Sequence, residues 1–174
     1  GTSSVMVQHL KEYAEQAIQF TYLRANDFVF EFGSNDGTLL RHFKDAGITN
    51  LLGMDPAKNI ADAATASGLE TIPDFFCAKT AMSVRAKHGQ AKLICANHCC
   101  AHIDDFLGVV AGVKELLAPD GVWIFEVGYL LNVFTQSLFD TIYPSRLSIS
   151  IRYCVSSNKG SMFLPGEIAV VSRP

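Results

Sequence analysis

No stretch of the chain restricts its fold as tightly as the run from Asp27 to Asp55. Asp27-Phe-Val-Phe-Glu-Phe32 is a short apolar and aromatic segment of the kind that forms a buried strand. Gly33-Ser-Asn-Asp-Gly37 then gathers residues that tolerate positive φ, so the chain turns sharply there. Helical spacing resumes from Thr38 to Ala46 through Leu39, Leu40 and Phe43, and Gly47 stops it. Asn50-Leu-Leu-Gly-Met-Asp55 supplies a second short strand. Strand, helix and strand in this order make a βαβ unit, whose two strands lie parallel with a right-handed crossover.

The same alternation continues on both sides. From Val5 to Arg24, Leu10, Tyr13, Ala14, Ala17, Ile18 and Leu23 recur three or four apart, which predicts an amphipathic helix packed against the sheet edge. Pro56 suits the first turn of a helix running to about Ala66. Leu69 to Ile72 reads as a third strand, Ala78 to Lys87 as a helix, and Ala91 to Ala96 as a fourth strand. Asp104 and Asp105 can cap a helix that sets Phe106, Val110, Val113 and Leu117 on one face, and Pro119-Asp-Gly121 turns the chain into a strand from Val122 to Val127. Beyond Tyr143 the rhythm weakens to two strands, Leu147 to Val155 and Glu167 to Val171, around a glycine- and serine-rich turn. The fold class is α/β: a Rossmann-like, doubly wound, mainly parallel sheet, truncated or altered at its C-terminal hairpin. Three segments are expected: an N-terminal helical segment at 1–26, an α/β core at 27–143, and atypical C-terminal strands at 144–174.

The balance of 14 basic and 17 acidic side chains, a formal charge of -3, is spread without blocks of either sign. Neutralised phosphates supply most of the affinity of a nucleic-acid-binding surface, and nothing here builds one. No apolar run approaches the roughly 18–20 residues needed to cross a bilayer, and no secretory leader is recognisable, so no membrane partner and a cytoplasmic location are expected. The five cysteines include the adjacent pair Cys99 and Cys100 and lack zinc-ribbon spacing. Cys95, His98, Cys99, Cys100 and His102 are dense in potential metal ligands, but side chains leaving a strand diverge, and no metal is expected.

The turn from Glu31 to Gly37 lies between a strand and a helix, where glycines let a ligand approach the backbone. Asp55, closing the second strand, is placed to accept hydrogen bonds from two ribose hydroxyls. Gly33 and Gly37 alone do not have the spacing of the dinucleotide fingerprint, so a diphosphate is not the natural guest. Asn97, His98 and His102 follow the fourth strand, at the mouth where open parallel sheets bind ligands.

These residues resemble class I methyltransferases, in which an acid at the end of the first strand precedes a glycine-rich turn; Asn35 stands here at the middle glycine. Glu31-Phe-Gly-Ser-Asn-Asp-Gly-Thr-Leu-Leu40 and Gly53-Met-Asp-Pro-Ala-Lys-Asn-Ile-Ala61 are more specifically similar to the deoxysugar C-methyltransferase group. So are Asp74-Phe-Phe76, Ala96-Asn-His98, Ala101-His102, Phe125-Glu-Val127 with Tyr129-Leu-Leu131, and Phe139-Asp-Thr-Ile-Tyr143. The resemblance implies S-adenosyl-L-methionine as cofactor, S-adenosyl-L-homocysteine as product and a small-molecule substrate, such as a nucleotide-linked sugar. It places Glu31, Gly33, Ser34, Asn35 and Gly37 near the methionine part, Asp55 and Pro56 at the ribose, and Asp74 and Phe75 at the adenine, with Asn97 and His98 completing the cofactor set. His102 and Tyr143 are the nominated catalytic residues. Where the group typically continues with His-Glu-His after the tyrosine, this chain has Pro144-Ser145-Arg146, none of which is a general base near neutral pH. Little or no carbon methylation of a deoxysugar is therefore expected. The zinc-binding cysteine module and the second α/β half of that group are not found in these 174 residues. A domain that binds the cofactor without transferring its methyl, and an NAD-dependent oxidoreductase, are the alternatives.

Overall fold

The computed structural model of the chain describes residues 4–126 and 168–172. Helix α1 (Ser4–Thr21) leads into β1 (Val29–Phe32), α2 (Thr38–Asp45), β2 (Leu51–Met54), α3 (Lys58–Ala66), β3 (Thr71–Ile72), α4 (Ala78–His88) and β4 (Ala91–Asn97). A single 3-10 turn (Cys100–His102), α5 (Phe106–Leu116), β5 (Leu117–Glu126) and β6 (Ile168–Ser172) follow. Among the described residues the strands form one sheet in the order β3-β2-β1-β4-β5-β6. β1 to β5 are parallel, and β6 runs antiparallel to β5 with Glu126 opposite Ile168. The chain starts in the centre at β1, winds outward to β3, then crosses back to β4 beside β1. The crevice beyond the ends of β1 and β4 is the topological switch point, where doubly wound sheets bind ligands.

Two cores sandwich the sheet. Phe30, Phe32, Ile94, Trp123 and Phe125 meet Ala81 and Val84 of α4 and Val109, Val113 and Leu116 of α5 on one face. Val29, Leu93, Cys95 and Ile124 meet Tyr13, Ala14 and Ala17 of α1 and Leu39, Leu40 and Phe43 of α2 on the other. Alternate residues of β1 and β5 thus serve opposite cores, as a two-residue side-chain period requires. α1 consequently lies over the sheet face beside α2, not at the sheet edge as its stripe had suggested, and Tyr13 Oη donates to the Ile124 carbonyl at 3.3 Å.

Other boundaries also differ from expectation. Pro56 precedes α3, which starts at Lys58, because Asp55 and Ala57 first close a local turn. α5 buries Val109, Gly112, Val113 and Leu116, while Phe106 and Val110 are more than a third exposed. Gly112 lies on the buried edge: a Cβ there would sit 3.0 Å from the Cys77 carbonyl carbon, so the glycine lets α5 approach the start of α4 closely. β5 begins at Leu117, ahead of the expected turn. Ala91 pairs with Leu117 and Leu93 with Val122, so Pro119 to Gly121 form a bulge within the strand. The strand expected at Leu147–Val155 and the residue Tyr143 lie outside the described residues. No described helix is long and apolar enough to cross a membrane.

Candidate functional site

The turn after β1 takes its shape from three left-handed residues. Gly33, Asn35 and Gly37 have φ of 68°, 50° and 77°. Asparagine is among the few side chains that adopt this region readily, which explains its place between two glycines. Its Oδ1 accepts from Asp36 N at 2.8 Å, and Asp36 Oδ1 in turn accepts from the Thr38 amide at 3.1 Å and the Thr38 hydroxyl at 2.6 Å. Asp36 therefore occupies the start of α2, where a helix would otherwise present amides to an anion.

Gly33 is constrained by protein packing. A Cβ on it would lie 2.8 Å from both Cβ and Sγ of Cys99, whose thiol is also 3.5 Å from the Phe32 carbonyl. The clearance that a glycine supplies here is toward Cys99 and the loop after β4. Gly33→Ala should therefore cost about 3 kcal/mol of folding stability through positive φ and overpacking together. A truncating Cys99→Gly replacement should restore part of it, and a thermal-denaturation double-mutant cycle with no coupling would leave φ strain as the whole cause.

Asp55 does more than end β2. Its Oδ2 accepts from Asn35 N and its Oδ1 from Ala57 N, each at 2.9 Å, so one carboxylate holds the glycine turn and the β2–α3 turn together. Both oxygens keep a further lone pair for a ligand. Glu31, one strand away on β1, is 3% exposed, and its Oε2 has no hydrogen-bond partner among the described residues. Burial foremost, then Cys99, Asp36 and Asp55, raises its carboxyl well above the ordinary range. Ser34 Oγ and both side-chain polar atoms of Asn97, at the end of β4, are likewise buried and unpartnered among the described residues. Such groups carry a desolvation cost that a bound polar ligand would offset.

At the end of β3, Asp74 Oδ1 accepts from Phe75 N at 2.7 Å, and Phe75 is 72% exposed. Phe76 is buried, stacked on Phe32 with centroids 4.6 Å apart and planes 12° from parallel. Sequence alone could not separate the two aromatics; the stack assigns Phe76 to the core and leaves the Phe75 face available. Pro56 stands between Asp55 and α3. His98 has the strained φ of 56° and a half-exposed side chain, whereas His102 is exposed on the 3-10 turn. Among the described residues no three His, Cys, Asp or Glu side chains are grouped to hold a metal ion. A polar cleft lined by Arg24, Asn26, Asn50, His88 and Gln90 opens at the opposite, starting ends of the strands.

A cluster that sequence reasoning did not assemble lies at the end of β5. The Glu126 side chain is 8% exposed, and His9 Nε2 from α1 sits 3.0 Å and 2.9 Å from its two oxygens. His98 Nε2 approaches Oε1 at 3.8 Å, and His98 N donates to the Glu126 carbonyl at 2.8 Å. Nothing local in the sequence links His9 to Glu126; only the placement of α1 across the sheet does. Tyr13, one helical turn along from His9, is buried, and burial with Cys95, Glu31 and Glu126 nearby raises its hydroxyl well above the usual value, keeping it a donor.

This architecture defines the class: a Rossmann-like α/β domain of the class I methyltransferase type. The chain belongs to the methyltransferase domain family, whose family model matches residues 6–164. It is 39% identical over 143 residues to the C-methyltransferase NovU of Streptomyces niveus, a match covering 82% of this chain and 34% of that protein. The chain thus spans about a third of the length of that curated relative. Among solved structures it superposes on a SAM-dependent methyltransferase from Archaeoglobus fulgidus with a TM-score of 0.61 at 12% identity, covering 79% of this chain and 63% of the other. It superposes on the plantazolicin methyltransferase BpumL, solved with a desmethyl plantazolicin analogue and SAH, with a TM-score of 0.59 at 11% identity over 79% and 52% of the two chains.

Proposed function

We propose that this domain binds S-adenosyl-L-methionine in the switch-point crevice and transfers its methyl group to a small molecule, with a nucleotide-linked keto sugar as the acceptor class. The observation that carries the reading is the set of three carboxylates, Glu31, Asp36 and Asp55, around one left-handed turn. A diphosphate would meet like charge there, and Asp36 Oδ1 already accepts from the Thr38 amide at the start of α2. The α-ammonium of a methionine moiety would meet complementary charge, with Glu31 and Ser34 supplying unpartnered acceptors. Asp55 would take the ribose hydroxyls, the Phe75 ring the adenine face, and Asp74 the adenine amino group. The cofactor supplies an already activated methyl on a sulfonium, so this chain's residues mainly bind, orient and shield. The kinship with NovU, a C-methyltransferase by name, and the likeness to a methyltransferase solved with SAH support the same reading.

Calorimetric titration tests it. S-adenosyl-L-homocysteine should bind with one-to-one stoichiometry and NAD should give no heat; saturable NAD binding without SAH binding would replace this reading by the oxidoreductase one.

A further inference from the structure

We propose that His9 and Glu126 form the proton-accepting dyad of the methyl-transfer site, with His9 as the catalytic base and Glu126 as its positioning residue. The inference rests on the cofactor reading above and adds what the acceptor side does. His9 Nε2 lies at near-equal distances, 3.0 Å and 2.9 Å, from both oxygens of a buried carboxylate. A ring nitrogen in that position donates its hydrogen, which leaves the lone pair on Nδ1. A carboxylate that fixes tautomer and orientation through one ring nitrogen while the other handles the substrate proton is the logic of catalytic His–acid pairs. The His9 side chain is 42% exposed, so its outward edge is reachable, while Glu126 at 8% is shielded.

Position along the sheet agrees. Asp55 follows β2 and Asp74 follows β3, so a cofactor held there by its ribose and adenine would have its reactive end on the side of β1, β4 and β5. Asn97 and Glu126 are register partners at the ends of those two strands. Strands lie about 4.8 Å apart, which puts Glu126 roughly 10 Å from the turn after β1, room for an acceptor between them. Glu126 shares the α1 face of β5 with Ile124, so its carboxylate and His9 approach from one side. His98, in a strained left-handed conformation, brings a second imidazole to the same carboxylate. A helix-to-sheet tie alone would not require two histidines around one buried acid at the ligand end of the sheet.

In the step proposed, the C–H bond next to the acceptor's carbonyl breaks and its proton passes to His9 Nδ1. The electron pair left on carbon forms the new bond to the methyl carbon, and the C–S pair stays on sulfur. This supplies the base that Pro144-Ser145-Arg146 lacks.

The test follows deuterium exchange by NMR on a thymidine-diphosphate-linked 4-keto-6-deoxyhexose in D2O, with no methyl donor present. The chain should exchange the hydrogen next to the carbonyl above the solvent rate. His9→Ala should lose on the order of 10²-fold or more of that rate, consistent with a general base, and free imidazole should restore part of it. His9→Gln, which keeps a donor toward Glu126, should be equally slow without rescue, and Glu126→Gln should lower the rate with half-saturation unchanged. SAH affinity and melting temperature, read on every variant, report folding and separate the two proposals. A wild type that does not bind SAH overturns the cofactor reading; one that binds SAH yet exchanges no deuterium overturns the dyad. Exchange untouched by His9→Ala, or lost without imidazole rescue, also overturns it.

Discussion

Replacing Asp55 with Ala should weaken S-adenosyl-L-homocysteine binding by more than tenfold and loosen the apo domain as well. Two independent losses combine. A charged acceptor for the ribose hydroxyls is worth about 1.5–3 kcal/mol. In addition, the amides of Asn35 and Ala57, each now 2.9 Å from a carboxylate oxygen, lose their partner. The glycine turn and the β2–α3 turn then lose their shared tie before any ligand arrives. Asp55→Asn separates the effects, since an amide oxygen can still accept one backbone hydrogen bond. It should recover part of the lost melting temperature, because only one of the two amides regains an acceptor, and little of the lost affinity. Unaltered SAH affinity in a folded Asp55→Ala variant would remove Asp55 from the cofactor site and leave it a structural clamp.

Glu31→Gln should stabilise the apo domain at neutral pH while lowering SAH affinity by two orders of magnitude or more. The carboxyl is raised above its ordinary range by burial first, then by Cys99, Asp36 and Asp55. Between the ordinary carboxylate range and that raised value, the folded state holds a proton that the unfolded chain has released. Stability is therefore full below the ordinary range and falls as pH rises through the window. Glutamine has no such window, so the variant's melting temperature should vary less with pH and exceed that of the wild type near neutrality. Ligand binding reverses the sign. An ammonium beside Glu31 favours the ionised form, so binding should expel a proton, and losing one partner of a buried pair costs about 3–5 kcal/mol. Titrations in two buffers of different ionisation enthalpy measure that proton directly. Heats independent of buffer, or an SAH affinity that survives Glu31→Gln, would place the ammonium elsewhere.

Much of the fold is local information. Runs such as Asp27–Phe32 and Ala91–Ala96 have the length and apolar or aromatic content of buried strands, and each is followed by a helical stripe before the next. Alternation of that kind admits few topologies, because parallel strands need crossovers and crossovers share one hand. The turn, Asp55 and the end of β4 converge for the same reason: all follow C-terminal ends of strands in one parallel sheet. The function of Asn35 as a glycine substitute was legible too, since left-handed backbone is a property of the residue itself, and its φ is 50°.

What the sequence determined was therefore the order and class of elements and the glycine turn with its following acid, all of which depend on residue type and spacing within a few turns of chain. The tertiary structure alone decided which face α5 buries, with Gly112 on the buried edge against the Cys77 backbone. It also decided that the space a side chain at Gly33 would need is taken by Cys99, and that Phe76 stacks on Phe32 while Phe75 stays exposed. The pairing of His9 with Glu126 belongs there as well, since it exists only because α1 folds back across the far half of the sheet. Contacts between residues distant in sequence leave no periodic trace; they arise when burial of the α1 stripe against β1, β4 and β5 brings polar side chains at its rim together.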